Sequence, residues 1–102
     1  LKDVAEILDY VRKVAGPDHV GIASDFDGVD DDLPVGLDDE SKYPMLFAEL
    51  IERGWSDADL KKLAGENVLR VLSTAEQVAR RLQKTRPPST RTIQEMDGKP
   101  KM

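Results

Sequence analysis

One apolar stretch too short for a helix, "HVGIAS" at 19–24, stands alone between segments of helical periodicity. Its apolar residues do not alternate with polar ones. That is the pattern of a strand buried on both faces, as in a parallel sheet covered by helices. Gly21 has no side chain and leaves room for a close neighbour. One strand cannot make a sheet, and no second strand pattern occurs in the 102 residues. The stretch therefore sets the fold class: an α/β body, mostly helical in this chain, with one buried strand whose neighbours lie elsewhere. The chain also opens at Leu1 inside an amphipathic pattern and without an initiator Met, which suggests a fragment of a longer protein.

The helices around this strand are legible from spacing. Val4, Ile7, Leu8, Val11, Val14 and Ala15 predict one over about 2–15, stopped by Gly16 in a left-handed conformation and by Pro17. A long loop over 25–41 follows, with "LPVG" as a type I turn that has Pro34 second and Gly36 fourth. A second helix spans about 43–53, with Pro44 in its first turn, Leu46, Phe47, Leu50 and Ile51 inward, and Gly54 at its end. Ser56 in "SDAD" caps a short third helix with Leu60 and Leu63 inward, interrupted at Gly65. A fourth covers about 67–83, with Val68, Val71, Leu72, Ala75, Val78, Ala79 and Leu82 on one stripe and a break near Ser73.

Charge divides the chain. Residues 1–83 carry 10 basic and 18 acidic side chains, whereas 84–102 carry 5 basic and 2 acidic. With its paired prolines and lack of periodicity, 84–102 reads as a disordered basic tail behind a body of residues 1–83. The overall charge of -5 argues against nucleic-acid binding, which needs clustered Lys and Arg on phosphates. No cysteine occurs, which excludes disulfides, thiolate metal sites and thiol catalysis. No apolar run reaches transmembrane length, and no signal or lipidation motif is present. Together these favour a cytoplasmic setting.

Chemistry concentrates in "SDFDGVDDD", 24–32, which holds five aspartates in nine positions. Asp25 stands at the carboxyl end of the expected strand, where barrels and open α/β sheets present residues to a ligand. A bland role is open for it as well, an Asp closing a turn through its own backbone. Asp27 beside Gly28 reads as a turn former, and Asp30, Asp31 and Asp32 as a solvated acidic loop. An EF-hand calcium loop fails on its spacing: counted from Asp25, the sixth position is Asp30 and the twelfth Gly36, where glycine and glutamate are required. "DFDGV" also resembles the first motif of haloacid-dehalogenase-type phosphatases. That resemblance implies Asp25 as nucleophile and Asp27 as acid and base, with Mg²⁺. The residues downstream do not sustain it, because no later strand supplies the remaining groups.

A wider resemblance uses most of the chain. "DHVGIASDFDG" (18–28), "LPVGLDDESKYPMLFAELIERGWS" (33–56) and "LAGENVLRVL" (63–72), in this order, are similar to the C-terminal part of the renal-type (membrane) dipeptidases, the M19 metallopeptidases. The likeness covers about residues 1–83. It implies a zinc-dependent dipeptidase built on a (β/α)₈ TIM-type barrel, of which this chain is a C-terminal fragment with "HVGIAS" as the eighth strand. By that resemblance Asp25 is the catalytic and substrate-binding carboxylate, beside a metal-bound hydroxide and the amino group of a dipeptide. Two zinc ions are implied in the parent enzyme, with ligands upstream and no metal ligand in this chain. The fragment alone is expected to be inactive, and the parent leaves room for a homodimer. A third expectation, of a different class, is a non-enzymatic helical interaction module with an acidic loop.

Several other residues are assigned to structure. His19 is the sole histidine, and one histidine makes no metal site. Trp55 packs on the helices, and Tyr43 and Pro44 fix the start of the second helix. Capping and ion pairing account for Glu66, Asn67 and Arg70.

Overall fold

The structure is a computed structural model, and it describes residues 1–30 and 32–98. Asp31, from the acidic loop, and residues 99–102, from the basic tail, lie outside the described residues. The chain divides into two units, Leu1–Leu72 and Ser73–Met102.

The first unit begins with α1, Lys2–Ala15, where the expected periodicity places a helix. Ala5 and Leu8 are its buried residues. Gly16 ends it, donating its N–H to Arg12 O at 2.8 Å. Its φ of 86° is positive, but its ψ of 159° is not that of the left-handed helical cap expected from the sequence. Arg12 and Lys13 in the last turn complement the exposed carbonyls. Helix α2, Tyr43–Glu52, carries Pro44 in its first turn, where the absent N–H has no intrahelical partner to lose. Ser56 then caps α3, Asp57–Lys61, by accepting the Asp59 N–H at 3.2 Å. A π-helical turn, Lys62–Glu66, follows, with non-helical torsions at Gly65, and α4, Asn67–Gln83, starts directly after it.

The core of this unit gathers Ala5, Leu8, Val20, Leu37, Leu46, Leu50, Trp55, Leu60 and Leu63. Leu46, Leu50 and Leu63 are its largest fully buried side chains. Each withdraws a full leucine surface from water, worth about 1.5–3 kcal/mol. A polar joint binds α1 to the end of α2. Trp55, only 4% exposed, donates its indole N–H to Asp9 Oδ1 at 2.6 Å. Arg53 reaches Asp9 Oδ2 at 2.9 Å and Glu49 at 3.1 Å. Arg12 lies over the Trp55 ring, 4.7 Å from its centroid, and pairs with Asp59 at 3.2 Å.

Four further expectations are corrected. No strand forms among the described residues, so the buried strand at 19–24 is absent. His19 belongs to a 3₁₀ turn, Pro17–His19, and its Nδ1 lies 2.7 Å from Ala15 O. Residues 20–24 run on as an unpaired segment. The reason is that a strand exists through its partners: its N–H and C=O groups need a neighbouring ladder, and the described residues offer none. Burial along the segment alternates, with Val20 buried, Ile22 half-buried, and Gly21 and Ala23 exposed, so one face is covered and not two.

Second, the turn after Leu33 is shifted by one residue. Leu37 N donates to Pro34 O at 2.9 Å, which makes Pro34 the first residue and Gly36 the third. Gly36 has φ 82°, the positive value that a type II turn requires at its third position. Third, Ile51 is not part of the inward stripe but is 55% exposed. In α4, Val68, Val71 and Leu72 are likewise exposed, and the buried residue is the polar Asn67. Fourth, α4 has no break at Ser73, because a serine inside a well-formed helix costs only a few tenths of a kcal/mol, about the spread of ordinary residues.

The second unit contains the remainder of α4, closed by Arg86 N and Thr85 Oγ1 donating to Leu82 O at 2.9 and 3.0 Å. A five-residue helix, α5, spans Ile93–Asp97. Thr92 and Glu95 form a capping box: Thr92 Oγ1 accepts the Glu95 N–H at 3.3 Å, and Glu95 Oε2 accepts the Thr92 N–H at 2.7 Å. "TIQE" carries that box in the sequence, within a stretch that lacks apolar periodicity. Among the described residues, no helix is long and apolar enough to cross a membrane.

Candidate functional site

The segment that ends at Asp25 is fixed from α4. Asn67 is buried, and its Nδ2 donates to Pro17 O at 2.8 Å and to Val20 O at 2.9 Å. Its Oδ1 accepts from Arg70 Nη1 at 3.1 Å, while Arg70 Nη2 donates to Asp18 O at 2.6 Å. Lys62 holds the Asp18 carboxylate at 2.7 Å, and that hydrogen bond and charge lower the Asp18 pKa. Two side chains of one helix turn thus serve three carbonyls that a neighbouring strand or helix would otherwise have to satisfy. Asn67 and Arg70 are structural, as expected, but by clamping carbonyls rather than by capping and ion pairing. The signal lay in an asparagine at the start of an apolar helix, where only the partner was hidden.

The carboxylate of interest follows five residues on. Asp25 is exposed and has φ 53° and ψ 39°, the left-handed region. It is the one non-glycine residue with positive φ among the described residues. Aspartate tolerates this region better than most side chains. From Asp25 the chain enters a 3₁₀ turn, Phe26–Gly28, closed by Gly28 N donating to Asp25 O at 2.9 Å. Gly28 lies directly against the Asp25 side chain: a Cβ built on it would stand 2.7 Å from both Cγ and Oδ2.

Asp27 lies inside the same turn and is exposed. The sequence reading of a turn former beside Gly28 fits that place. Asp30 and Asp32 are exposed as well. None of Asp25, Asp27, Asp30 and Asp32 forms an ion pair with another described residue, so the structure does not gather them into one site. Phe26 points from the turn toward the body, with its ring centroid 6.0 Å from that of Tyr43. A hollow of about 170 Å³ opens beside this pair, lined by Ile22, Ser24, Phe26, Leu33 and Tyr43 among others. Tyr43 follows a third 3₁₀ turn, Glu40–Lys42, which Asp39 caps by accepting from Ser41 N at 2.8 Å and from the Ser41 hydroxyl. Those two hydrogen bonds hold the Asp39 carboxyl below its usual range. Asp39 was missed in the sequence, where "DDESK" reads as plain loop, although Asp followed two residues on by Ser is an ordinary turn signal.

A metal needs several donors at one point. Among the described residues, no three His, Cys, Asp or Glu side chains come together in that way. The residues present therefore do not fit a metal centre by themselves. What they offer is one accessible carboxylate in a fixed backbone setting, able to accept a proton or to pair with a cation.

Comparison with known proteins adds what geometry alone cannot. The family model for membrane dipeptidases (peptidase family M19) matches residues 1–86. "Dipeptidase aclJ" of Aspergillus oryzae is 52% identical over 87 residues, which is 85% of this chain and 20% of that protein. The chain spans about a fifth of the length of that relative. Both matches run far beyond "DFDGV", the five residues that carried the phosphatase resemblance. With most of its length accounted for in this way, the chain belongs to the membrane dipeptidase family, peptidase family M19.

Proposed function

We propose that the chain is part of a zinc-dependent dipeptidase and supplies its Asp25 carboxylate to hydrolysis of the peptide bond of dipeptides. The observation that carries this reading is the family match over residues 1–86, inside which Asp25 stands exposed at the end of the clamped segment. In such an enzyme "HVGIAS", 19–24, would be the last strand of a (β/α)₈ barrel. Alternating burial along 20–24, with no backbone ladder there among the described residues, suits a strand completed by neighbours from the rest of the protein. Two zinc ions would be held by residues outside the described stretch, which has no cluster to bind them.

Asp25 has two uses in that chemistry. It can accept a proton and return it to the departing amine. It can also pair with the ammonium group of the substrate, which selects dipeptides with an unblocked N-terminus. The isolated chain would be inactive.

The test is Asp25→Asn in the full-length enzyme. Turnover of unblocked dipeptides should fall by about 10²-fold or more, the range of a lost general acid–base, while zinc content stays near normal. Near-normal turnover would remove Asp25 from the reaction.

A further inference from the structure

The sequence offers a familiar reason for a glycine after "DFD": turns use its freedom at positive φ. That reason does not hold at Gly28. The positive-φ glycines are Gly16, Gly36, Gly54 and Gly98, and Gly28 is not one of them. What singles out Gly28 is space. A Cβ there would lie 2.7 Å from Asp25 Cγ and 2.7 Å from Asp25 Oδ2, far inside contact distance. Gly28 is also the residue whose N–H closes the turn onto Asp25 O at 2.9 Å, so its Cα cannot drift from the carboxylate without opening that turn.

We propose that Gly28 is a positioning residue for Asp25, whose missing side chain allows the carboxylate the one direction it takes. This rests on the assignment of Asp25 to the reaction. The physical consequence is specific. Asp25 is exposed and its side chain is short, so a methyl group at position 28 need not move the backbone. It need only drive Asp25 about χ1 into another staggered well, a step of about 120°. The fold keeps its stability while the carboxylate points elsewhere. Where the reacting groups must meet within a fraction of an ångström, such a displacement costs about 10- to 100-fold in rate.

The experiment compares Gly28→Ala, Asp25→Asn and the double variant in the full-length enzyme, with L-alanyl-L-alanine and L-alanyl-D-alanine as substrates. kcat, KM and the urea midpoint are measured for each, the slow variants at high enzyme concentration. Gly28→Ala should lower kcat/KM by about tenfold or more at an unchanged midpoint, and should add nothing further in the Asp25→Asn background. Rates within twofold of wild type would overturn the proposal. So would a loss accompanied by a lowered midpoint, or a loss that adds in full to that of Asp25→Asn, since either marks a merely structural glycine. Full activity in Asp25→Asn is a different failure: it removes the assignment of Asp25 itself.

Discussion

The joint between α1 and the end of α2 gives the most quantitative test of how this chain holds together. Asp9 accepts the buried indole N–H of Trp55 at 2.6 Å and the Arg53 guanidinium at 2.9 Å. Asp9→Ala removes both contacts, and the two losses are unequal. The indole N–H sits in a residue 4% exposed, so it keeps its desolvation penalty with no acceptor, about 1–3 kcal/mol. The ion pair joins side chains 27% and 34% exposed, and solvent screening limits it to about 0.2–1 kcal/mol. The sum is about 1–4 kcal/mol. Asp9→Asn keeps an oxygen for the indole but loses the charge and the oxygen that faces Arg53, about 0.2–1 kcal/mol.

Urea unfolding of the chain, followed by helical circular dichroism, reads the difference. At a slope of about 1–1.5 kcal/mol per M, Asp9→Ala should lower the midpoint by about 1–4 M and Asp9→Asn by less than half of that. Trp55 is the only tryptophan in the chain, so its emission reports the same joint. A double-mutant cycle with Trp55→Phe isolates the indole bond, with an expected coupling of about 1–2 kcal/mol. Equal effects of Asp9→Ala and Asp9→Asn, or a coupling below about 0.3 kcal/mol, would refute the reasoning.

Three further outcomes follow from named contacts. Asn67→Ala leaves Pro17 O and Val20 O without their donor and should lower stability by about 2–4 kcal/mol in the same urea titration. Ser56→Ala loses the cap on α3 and should cost about 1 kcal/mol, while Ser56→Asp should restore most of it. For Asp9, burial alone would raise the carboxyl pKa, but the Trp55 hydrogen bond and the hydrogen bond and charge of Arg53 outweigh it, so the folded value lies below the ordinary 3.8. A lowered pKa contributes stability that is present above the unfolded value and lost as pH falls through the folded one. Between pH 7 and pH 3 the wild-type midpoint should therefore drop by more than that of Asp9→Asn, measured side by side.

What the sequence disclosed and what it hid follow a physical line. Helices α1 to α4 were legible because their signals are local: Gly16 ends the first, Pro44 opens the second, Ser56 caps the third and Gly65 interrupts the run into the fourth. The expected strand failed because strands are not local. "HVGIAS" has strand composition, yet without a ladder partner its His19 joins a 3₁₀ turn and residues 20–24 form no strand. Ile51 and the Val68–Val71–Leu72 stripe failed similarly, since periodicity says that a face is apolar and not what covers it. The shifted turn at Pro34 was a choice between two registers that the same residues permit, and the positive φ of Gly36 decided it. Asp25 was legible as the residue to watch, while its left-handed backbone and the carboxylate lying against Gly28 required coordinates.

Two kinds of polar contact in the first unit bear on how the chain could serve a reaction. Asp9, Trp55, Arg53, Arg12 and Asp59 join helices to one another, and losing them should loosen the body. Asn67 and Arg70 do something else: they donate to the carbonyls of Pro17, Asp18 and Val20, which belong to no helix ladder beyond one short turn. An extended segment with no strand beside it has few means of holding its position, and these three hydrogen bonds hold its beginning. Its far end is held by the turn at Phe26–Gly28, which closes on Asp25 itself. Asp25 thus lies between two anchors and is itself exposed. A carboxylate kept only for solubility requires neither a clamped approach nor an unusual backbone at its own position. Both are present at Asp25 and at none of the other described aspartates of the loop, where φ is not positive. Among the described residues, the acidic stretch is therefore one carboxylate on a left-handed backbone, Asp25, followed by the exposed Asp27, Asp30 and Asp32.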